Sequence, residues 1–366
     1  MSRPAKMLID LDALTHNIAI ARKQSPNSRI IAVLKANAYG HGAIEVANAI
    51  DPSVDMLAVS SIEEALHLRN AGIEKTVLLL EGCFSGSELV VASNNDFAVV
   101  FHNLEQVEAL EQQALEQPIS CWLKIDTGMH RLGLQGDDIT AAFERLQASA
   151  NSKNDLILMT HLASSDLIAQ PFTTQQISSF VQAIAQLGER ANGLQTSICN
   201  SGAVLGWQDI QCDWIRPGIM IYGVSPFAQE HKIAKDLKPV MCLQSEVIAV
   251  RTVPAGDCVG YGNTWQAERD SKVATVAIGY GDGYPRNAKN GTPVLVNGKR
   301  CKLAGRVSMD MLSVDVTEIG SVNIGDKVVL WGSGLDVNEV ASYADTIGYE
   351  LVTRMPLRVP KTYLGK

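Results

Sequence analysis

The sequence predicts a two-domain α/β protein: an N-terminal (β/α)8 TIM-like barrel followed by a mostly antiparallel β domain. Three features carry this. From Arg29 to about Gly218, short apolar, β-branched runs alternate with amphipathic helical stretches. Strands alternating with helices imply parallel βα units, because a parallel strand pair needs a crossover. Eight such units in about 190 residues is the count of a closed barrel. After Pro239 the rhythm gives way to strand-like runs punctuated by Gly, Pro, Asn and Asp.

The strand candidates of the first part are residues 30–34, 56–59, 76–80, 97–100, 119–125, 156–161, 196–198 and 214–215. Between them, stretches such as 62–70, 104–116, 141–148 and 174–190 repeat apolar residues every three or four positions. An open doubly wound sheet with two extra strands is the competing layout. In the second part, residues 241–253, 273–278, 294–296, 301–304, 311–316 and 327–330 read as strands. Asn297-Gly298, between two apolar runs, is a two-residue hairpin signal. Only 337–347 looks helical there. The barrel is accordingly assigned to residues 1–234 and the β domain to 235–366, with 229–238 as the connection.

Composition narrows the function. The 366 residues hold 31 Lys+Arg against 39 Asp+Glu, a formal net charge of −8, which gives no electrostatic footprint for nucleic acid. With 46% hydrophobic residues but no apolar run of membrane-spanning length, the chain reads as soluble. The N-terminal segment puts an acidic residue where an export signal has its apolar stretch, so a cytoplasmic location is expected. Seven scattered cysteines, with no CxxC pair, argue against a disulfide framework or a Cys-rich zinc site.

In a barrel, chemistry belongs at the C-terminal strand ends. Those ends carry Lys35; then Lys124 and Asp126, followed by Gly128, His130 and Arg131; then His161; then Asn200 and Ser201; then Arg216, Pro217 and Gly218. Taken singly, Lys35 reads as a solvated lysine and His161 as a structural histidine. Four of eight strand ends bearing ionisable groups on one face is a stronger signal. A lysine desolvated at the end of an apolar strand loses affinity for its proton and becomes competent to form Schiff bases. Pyridoxal phosphate (PLP) chemistry needs such a lysine, a phosphate cradle and a partner for the pyridine nitrogen. Asn200-Ser201-Gly202 opens an apparent helix after the seventh strand, and the backbone amides of Gly218 and Ile219 offer a second cradle.

Other residues take blander readings. Asp126, His130 and His161 compose a candidate metal set, but Arg131 beside them opposes a cation. Gly279-x-Gly281-x-Gly283 opens no βαβ unit and reads as a bend near an entrance, which Tyr280 and Tyr284 either line or merely pack against. His16, His67, His102 and His231 are read as exposed.

The run Val33-Leu34-Lys35-Ala36-Asn37-Ala38-Tyr39-Gly40-His41-Gly42 closely resembles the PLP-lysine signature of the alanine racemases, members of the fold-type III PLP enzymes. Lys124-Ile125-Asp126-Thr127-Gly128-Met129-His130-Arg131-Leu132-Gly133, His161-Leu162-Ala163, Asn200-Ser201 and Arg216-Pro217-Gly218 follow in that family's order. So do Gly260-Tyr261-Gly262, Gly279-Tyr280-Gly281-Asp282-Gly283-Tyr284, Met309-Asp310 and Gly348-Tyr349, so the resemblance spans nearly the whole chain. It implies that Lys35 holds PLP and acts as one catalytic base. Tyr261 is then the base on the opposite face of the substrate Cα, supplied by the other subunit of a head-to-tail homodimer. Arg216 bonds the pyridine nitrogen, His161 bridges toward Tyr261, and Tyr39, Ser201, Ile219 and Tyr349 hold the phosphate. Arg131 and Met309 receive the carboxylate of alanine, and Lys124 is open to carbamylation beside Arg131. Ser308 stands where many members have cysteine.

The roles are physically coherent. Inverting a stereocentre needs proton removal on one face and delivery on the other. An arginine keeps its proton, so it leaves the ring nitrogen uncharged and the ring a weak electron sink, which disfavours transamination. Tyr261, with an ordinary pKa near 10, must be lowered, and His161 and Arg216 are the groups expected to do so. The activity implied is interconversion of L- and D-alanine, for peptidoglycan or for catabolism. A fold-type III amino-acid decarboxylase is a competing reading that lacks the lysine signature and Tyr261. A non-catalytic PLP-binding protein is another, and it has no counterpart to the β domain.

Overall fold

The computed structural model describes residues 3–365. Eight parallel strands close into a barrel: β2 (Arg29–Val33), β3 (Met56–Val59), β4 (Val77–Leu79), β5 (Phe97–Phe101), β6 (Cys121–Lys124), β7 (Ile157–Met159), β8 (Gln195–Asn200) and β9 (Trp214–Arg216). β9 returns to β2 through Arg29 opposite Trp214, which completes the ring and rules out the open sheet. These strands read as continuous apolar runs because both faces are covered, inside by barrel packing and outside by helices. Every residue of β3, β4, β5, β6, β7 and β9 is buried.

The surrounding helices are α1 (Leu11–Gln24), α2 (Ala43–Ile50), α3 (Ile62–Asn70), α4 (Gly86–Asn94), α5 (Leu104–Glu111), α6 (Asp137–Ala148), α7 (Phe172–Gln186) and the short α8 (Ser201–Gly206). α1 precedes the barrel in sequence yet packs on both α2 and α8. It therefore fills the eighth helix position, which the chain after β9 leaves vacant by turning toward the second domain.

That domain is one eight-stranded sheet in the order β13-β16-β15-β14-β17-β10-β1-β18, with β13 also paired to β10 so that the sheet closes on itself. Its strands are β10 (Met241–Val253), β13 (Ser271–Val276), β14 (Pro293–Val296), β15 (Lys299–Leu303), β16 (Leu312–Asp315), β17 (Lys327–Trp331) and β18 (Lys361–Leu364), joined by β1 (Lys6–Asp10). A separate ribbon pairs β11 (Cys258–Val259) with β12 (Trp265–Gln266). β1 runs antiparallel to β10 and parallel to β18, so the first strand of the chain belongs to the second domain's sheet. Sequence reading missed it, along with α1, α2, α4 and α10 (Gly348–Thr353), whereas the helix read at 337–347 forms as α9 (Val337–Ser342). The 297–298 hairpin forms as read, with Asn297 and Gly298 at φ 51° and 77°, the left-handed pair that such a turn demands.

The histidines correct one expectation. Of the four histidines read as exposed, only His67 is; His16 bonds the Asp236 carbonyl at 2.9 Å, His102 lies 3.1 Å from the Glu81 carbonyl and His231 stacks on Phe227 at 4.2 Å. Among the described residues no helix is long and apolar enough to cross a membrane, and no cluster of His, Cys, Asp and Glu could hold a metal ion.

Candidate active site

The site grows from the end of β2. Directly after Lys35 the backbone enters a left-handed turn, with Ala36, Asn37, Ala38 and Tyr39 at φ 52°, 54°, 53° and 51°. For L-residues this conformation costs about 1–2 kcal/mol each, so four in a row persist only where surroundings over-determine them. The turn reverses the chain so that Lys35 and Tyr39 both face the barrel mouth. Gly40 then lies so close to α10 that a Cβ there would sit 2.1 Å from the Val352 carbonyl oxygen. That approach brings Tyr349 of α10 to within 6.3 Å of the Tyr39 ring, and Tyr222 stacks on Tyr39 at 4.9 Å.

A polar cradle faces this aromatic group. The Ser201 hydroxyl accepts from the N–H groups of Gly218 at 2.9 Å and Met220 at 3.3 Å. Any side chain at 218 would place its Cβ 2.7 Å from the Tyr39 hydroxyl, so Gly218 keeps a small space open there. Asn200 is spent on structure. Its Oδ1 accepts from Ala203 N–H and the Ser165 hydroxyl at 3.1 and 2.7 Å, and its Nδ2 donates to Leu162 at 3.1 Å.

Arg216, buried at 4% exposure, ends β9. Its Nη1 donates to Ser197 Oγ at 2.5 Å, and its Nη2 donates to the Thr160 carbonyl at 2.6 Å and to His161 Nδ1 at 3.4 Å. Because a guanidinium only donates, His161 accepts on Nδ1 and carries its proton on Nε2. Among the described residues no carboxylate pairs with Arg216, and burial pushes it down to about 10. Lys124, also buried, is pushed down to about 8 by burial and by the charges of Arg216, Arg131 and Lys35. Burial and the charges of Arg216, Lys124, Arg131 and Lys35 hold His161 well below its ordinary range, hence neutral. The barrel mouth is thus a cationic enclosure with an aromatic and hydroxyl-lined end.

Arg131 rides on a loop that Asp126 braces. The Asp126 carboxylate accepts from Gly128 and His130 N–H at 2.9 and 3.1 Å and from Gln135 at 2.8 Å. Asp126 is therefore the loop's anchor. The structure thus gathers Lys35, Tyr39, Lys124, Arg131, His161, Ser201, Arg216, Gly218, Ile219 and Tyr349 on one face. Sequence reading missed Ser197, Thr160 and Tyr222, which no motif marks; only their place at the same strand ends signals them.

Tyr261 and Met309 lie on the β domain, 70% and 54% exposed. Neither bonds the barrel mouth among the described residues. The Met309 loop is held from below: the Gly281 N–H donates to the Met309 carbonyl at 2.8 Å. Asp282, fully buried in that same bend, bonds Arg3 at 2.6 Å and Arg358 at 3.0 Å, while Arg358 reaches Asp310 at 2.7 Å. The 279–284 segment is therefore a bend, as read; Tyr284 packs at 1% exposure and Tyr280 faces outward at 38%.

A lysine at a closed barrel's mouth, ringed by buried cations and backed by an antiparallel β domain, is the architecture of the fold-type III PLP enzymes. The family profile described as "Alanine racemase, N-terminal domain" matches residues 9–226, and "Alanine racemase, C-terminal domain" matches residues 240–363. The chain belongs to the alanine racemase family, an enzyme family that uses PLP. It is 48% identical over 364 residues to an alanine racemase of Photobacterium profundum, covering 99% of this chain and 100% of that one. It is equally 48% identical to a catabolic alanine racemase of Pseudomonas putida, with 100% of both chains covered. The crystal structure of a biosynthetic alanine racemase from Pseudomonas aeruginosa superposes with a TM-score of 0.94 at 44% identity, covering 99% of this chain and 100% of that one.

Proposed function

We propose that the protein interconverts L- and D-alanine using PLP, in a head-to-tail homodimer whose active sites are shared between subunits. The observation that carries this is the enclosure itself: Arg216 and Lys124 are buried as cations with no carboxylate opposite Arg216, next to a hydroxyl-lined space that Gly218 keeps open. Uncompensated buried charge is costly, so such a site fits an anionic occupant. The phosphate suits the end formed by Tyr39, Ser201, Gly218, Ile219 and Tyr349, and Arg216 suits the ring nitrogen. Asn200 supports this end by capping α8.

When bound, PLP supplies a carbonyl that condenses with amines and a ring that accepts electrons as the Cα–H bond of alanine weakens. Lys35 Nζ holds or moves the proton on one face of Cα, and the partner subunit's Tyr261 does so on the other. The proton on His161 Nε2 gives a donor for the Tyr261 oxygen, which stabilises its phenolate form. Arg131 and the Met309 backbone orient the carboxylate. With the division set between residues 234 and 235, all the proposed PLP groups except Tyr349 belong to the barrel, while Tyr349, Tyr261 and Met309 belong to the β domain; a cytoplasmic site of action fits the reading. Relatives of both biosynthetic and catabolic name leave supply of D-alanine for peptidoglycan and alanine catabolism as the two roles on offer.

Chiral analysis of L-alanine incubated with the purified protein and PLP tests the reaction: net racemisation is expected, and none would overturn it. For the lysine, borohydride reduction followed by peptide mapping is expected to fix the cofactor on Lys35; label on another lysine refutes the assignment.

Lys124 is proposed to carry a carbamate that faces Arg131 and replaces a like-charge contact with an opposite-charge one. Carbamate forms as R–NH2 + CO2 → R–NHCOO− + H+, so it needs the free amine. With its ammonium already weakened to about 8, Lys124 gains free amine as pH rises through that value. Incorporation of labelled bicarbonate at Lys124 is therefore expected to increase from pH 7 to pH 9. A density map with a bare ammonium at Lys124, from bicarbonate-grown crystals at the higher pH, contradicts it.

A further inference from the structure

The left-handed turn after Lys35 is strained, and a carboxylate from the neighbouring βα unit holds it. Glu64, in the first turn of α3, accepts the Ala36 N–H on Oε1 at 2.7 Å and the Ser60 N–H on Oε2 at 2.9 Å. Ala36 is the first of the four positive-φ residues, so its N–H direction sets the sense of the whole turn. Ser60 follows β3, whose end is pinned to β2 by the Leu34 N–H to Ala58 carbonyl bond at 2.7 Å. One carboxylate therefore ties the start of the turn to the rigid end of the adjacent strand. Farther along, Asn37 Oδ1 accepts the Ala43 N–H at 2.8 Å, and His41 Nδ1 lies 3.0 and 2.9 Å from the carbonyls of Ala38 and Tyr39. These last bonds are local to the segment, and the Tyr363 hydroxyl of β18 donates to the His41 carbonyl at 3.1 Å just past the turn; Glu64 is the side chain that ties the turn's first residue to a neighbouring βα unit.

We propose that Glu64 is a positioning residue: it holds the 36–39 turn in its left-handed form and so presents Lys35 and Tyr39 together to opposite ends of the cofactor. This rests on the assignment of Lys35 as the PLP lysine. Hydrogen bonds to charged groups are the strong ones, and removing the acceptor leaves strained residues free to relax toward ordinary φ. A relaxed turn moves Lys35 and Tyr39 relative to each other, and PLP binding must then restore the strain.

The test compares the full-length wild type with Glu64→Ala and Glu64→Gln, each with and without PLP. Hydrogen exchange is read by mass spectrometry on peptides covering residues 34–42, and PLP affinity by absorbance titration. In Glu64→Ala, exchange of this segment without PLP is expected to rise by about tenfold or more, with the strands on the far side of the barrel unchanged. PLP affinity is expected to weaken by about tenfold to a hundredfold, the loss of one or two hydrogen bonds to a charged group. At saturating PLP, kcat falls less than the affinity, because the bound cofactor re-imposes the turn. Glu64→Gln retains one acceptor oxygen and is expected to fall between; it carries the test if the alanine variant does not fold. Exchange and affinity within twofold of wild type overturn the proposal. So does exchange that rises across the whole barrel while PLP affinity is unchanged, since that marks a purely structural role. A wild type that takes up no PLP on Lys35 overturns the functional reading instead, and is recognised before any variant is compared.

Discussion

Replacing Arg216 with Glu is expected to lower racemisation by about 10²–10³-fold, the scale seen when a preorganised donor is removed from a catalytic site, and to raise transamination. Arg216 stands at the end of β9 with Nη1 on Ser197 and Nη2 on Thr160 and His161, fixed before any cofactor arrives. In the proposed site a permanent donor would bond the pyridine nitrogen without protonating it, leaving a weak electron sink that limits side reactions. A carboxylate in its place stabilises a protonated ring, which draws electrons harder. The substitution also reverses a charge beside Lys124 and His161, two groups that Arg216 now pushes down. Both should titrate higher in the variant. The measurements are the visible spectrum of the bound cofactor and the ratio of pyruvate formed to alanine racemised. If spectrum and ratio stay as in the wild type, Arg216 does not touch the ring.

The barrel was legible because its strands are buried on both faces, so their apolar runs stand out without any alternation to decode. The strand ends were legible for the same reason: Lys35, Lys124, His161 and Arg216 are abrupt polar stops to apolar runs. The elements that escaped are those whose position is decided by distant partners. β1 is a five-residue run, Lys-Met-Leu-Ile-Asp, whose three apolar residues are too few to show a period, and it is seated as a strand by β10 and β18 on either side. α1 mixes polar and apolar positions and is seated by the vacancy after β9.

The site divides along the same line. Motif residues were found, whereas Ser197 and Thr160, which aim Arg216 through a hydroxyl and a backbone carbonyl, have no signature because many residues could supply such atoms. The left-handed turn was invisible as well. Ala-Asn-Ala-Tyr lacks the glycines that normally announce positive φ, and its conformation is imposed by Glu64, Asn37 and His41.

Mixing two inactive variants is expected to restore activity. Lys35→Ala removes the lysine at the barrel mouth, and Tyr261→Phe removes the hydroxyl from a residue that is 70% exposed on the β domain. Within one chain Tyr261 makes no hydrogen bond to the barrel cluster among the described residues, so an isolated subunit offers no contact through which it could serve Lys35. In the proposed symmetric dimer each site would take Lys35 from one subunit and Tyr261 from the other. A mixed dimer then holds one doubly damaged site and one intact site. Random exchange makes half the dimers mixed, so about a quarter of the wild-type activity should appear. Each variant alone should show a loss of several orders of magnitude, since Lys35 also holds the cofactor. Native mass spectrometry establishes that exchange has occurred. Exchange without any return of activity means that Tyr261 acts within its own chain or not at all, and that the shared-site homodimer is wrong.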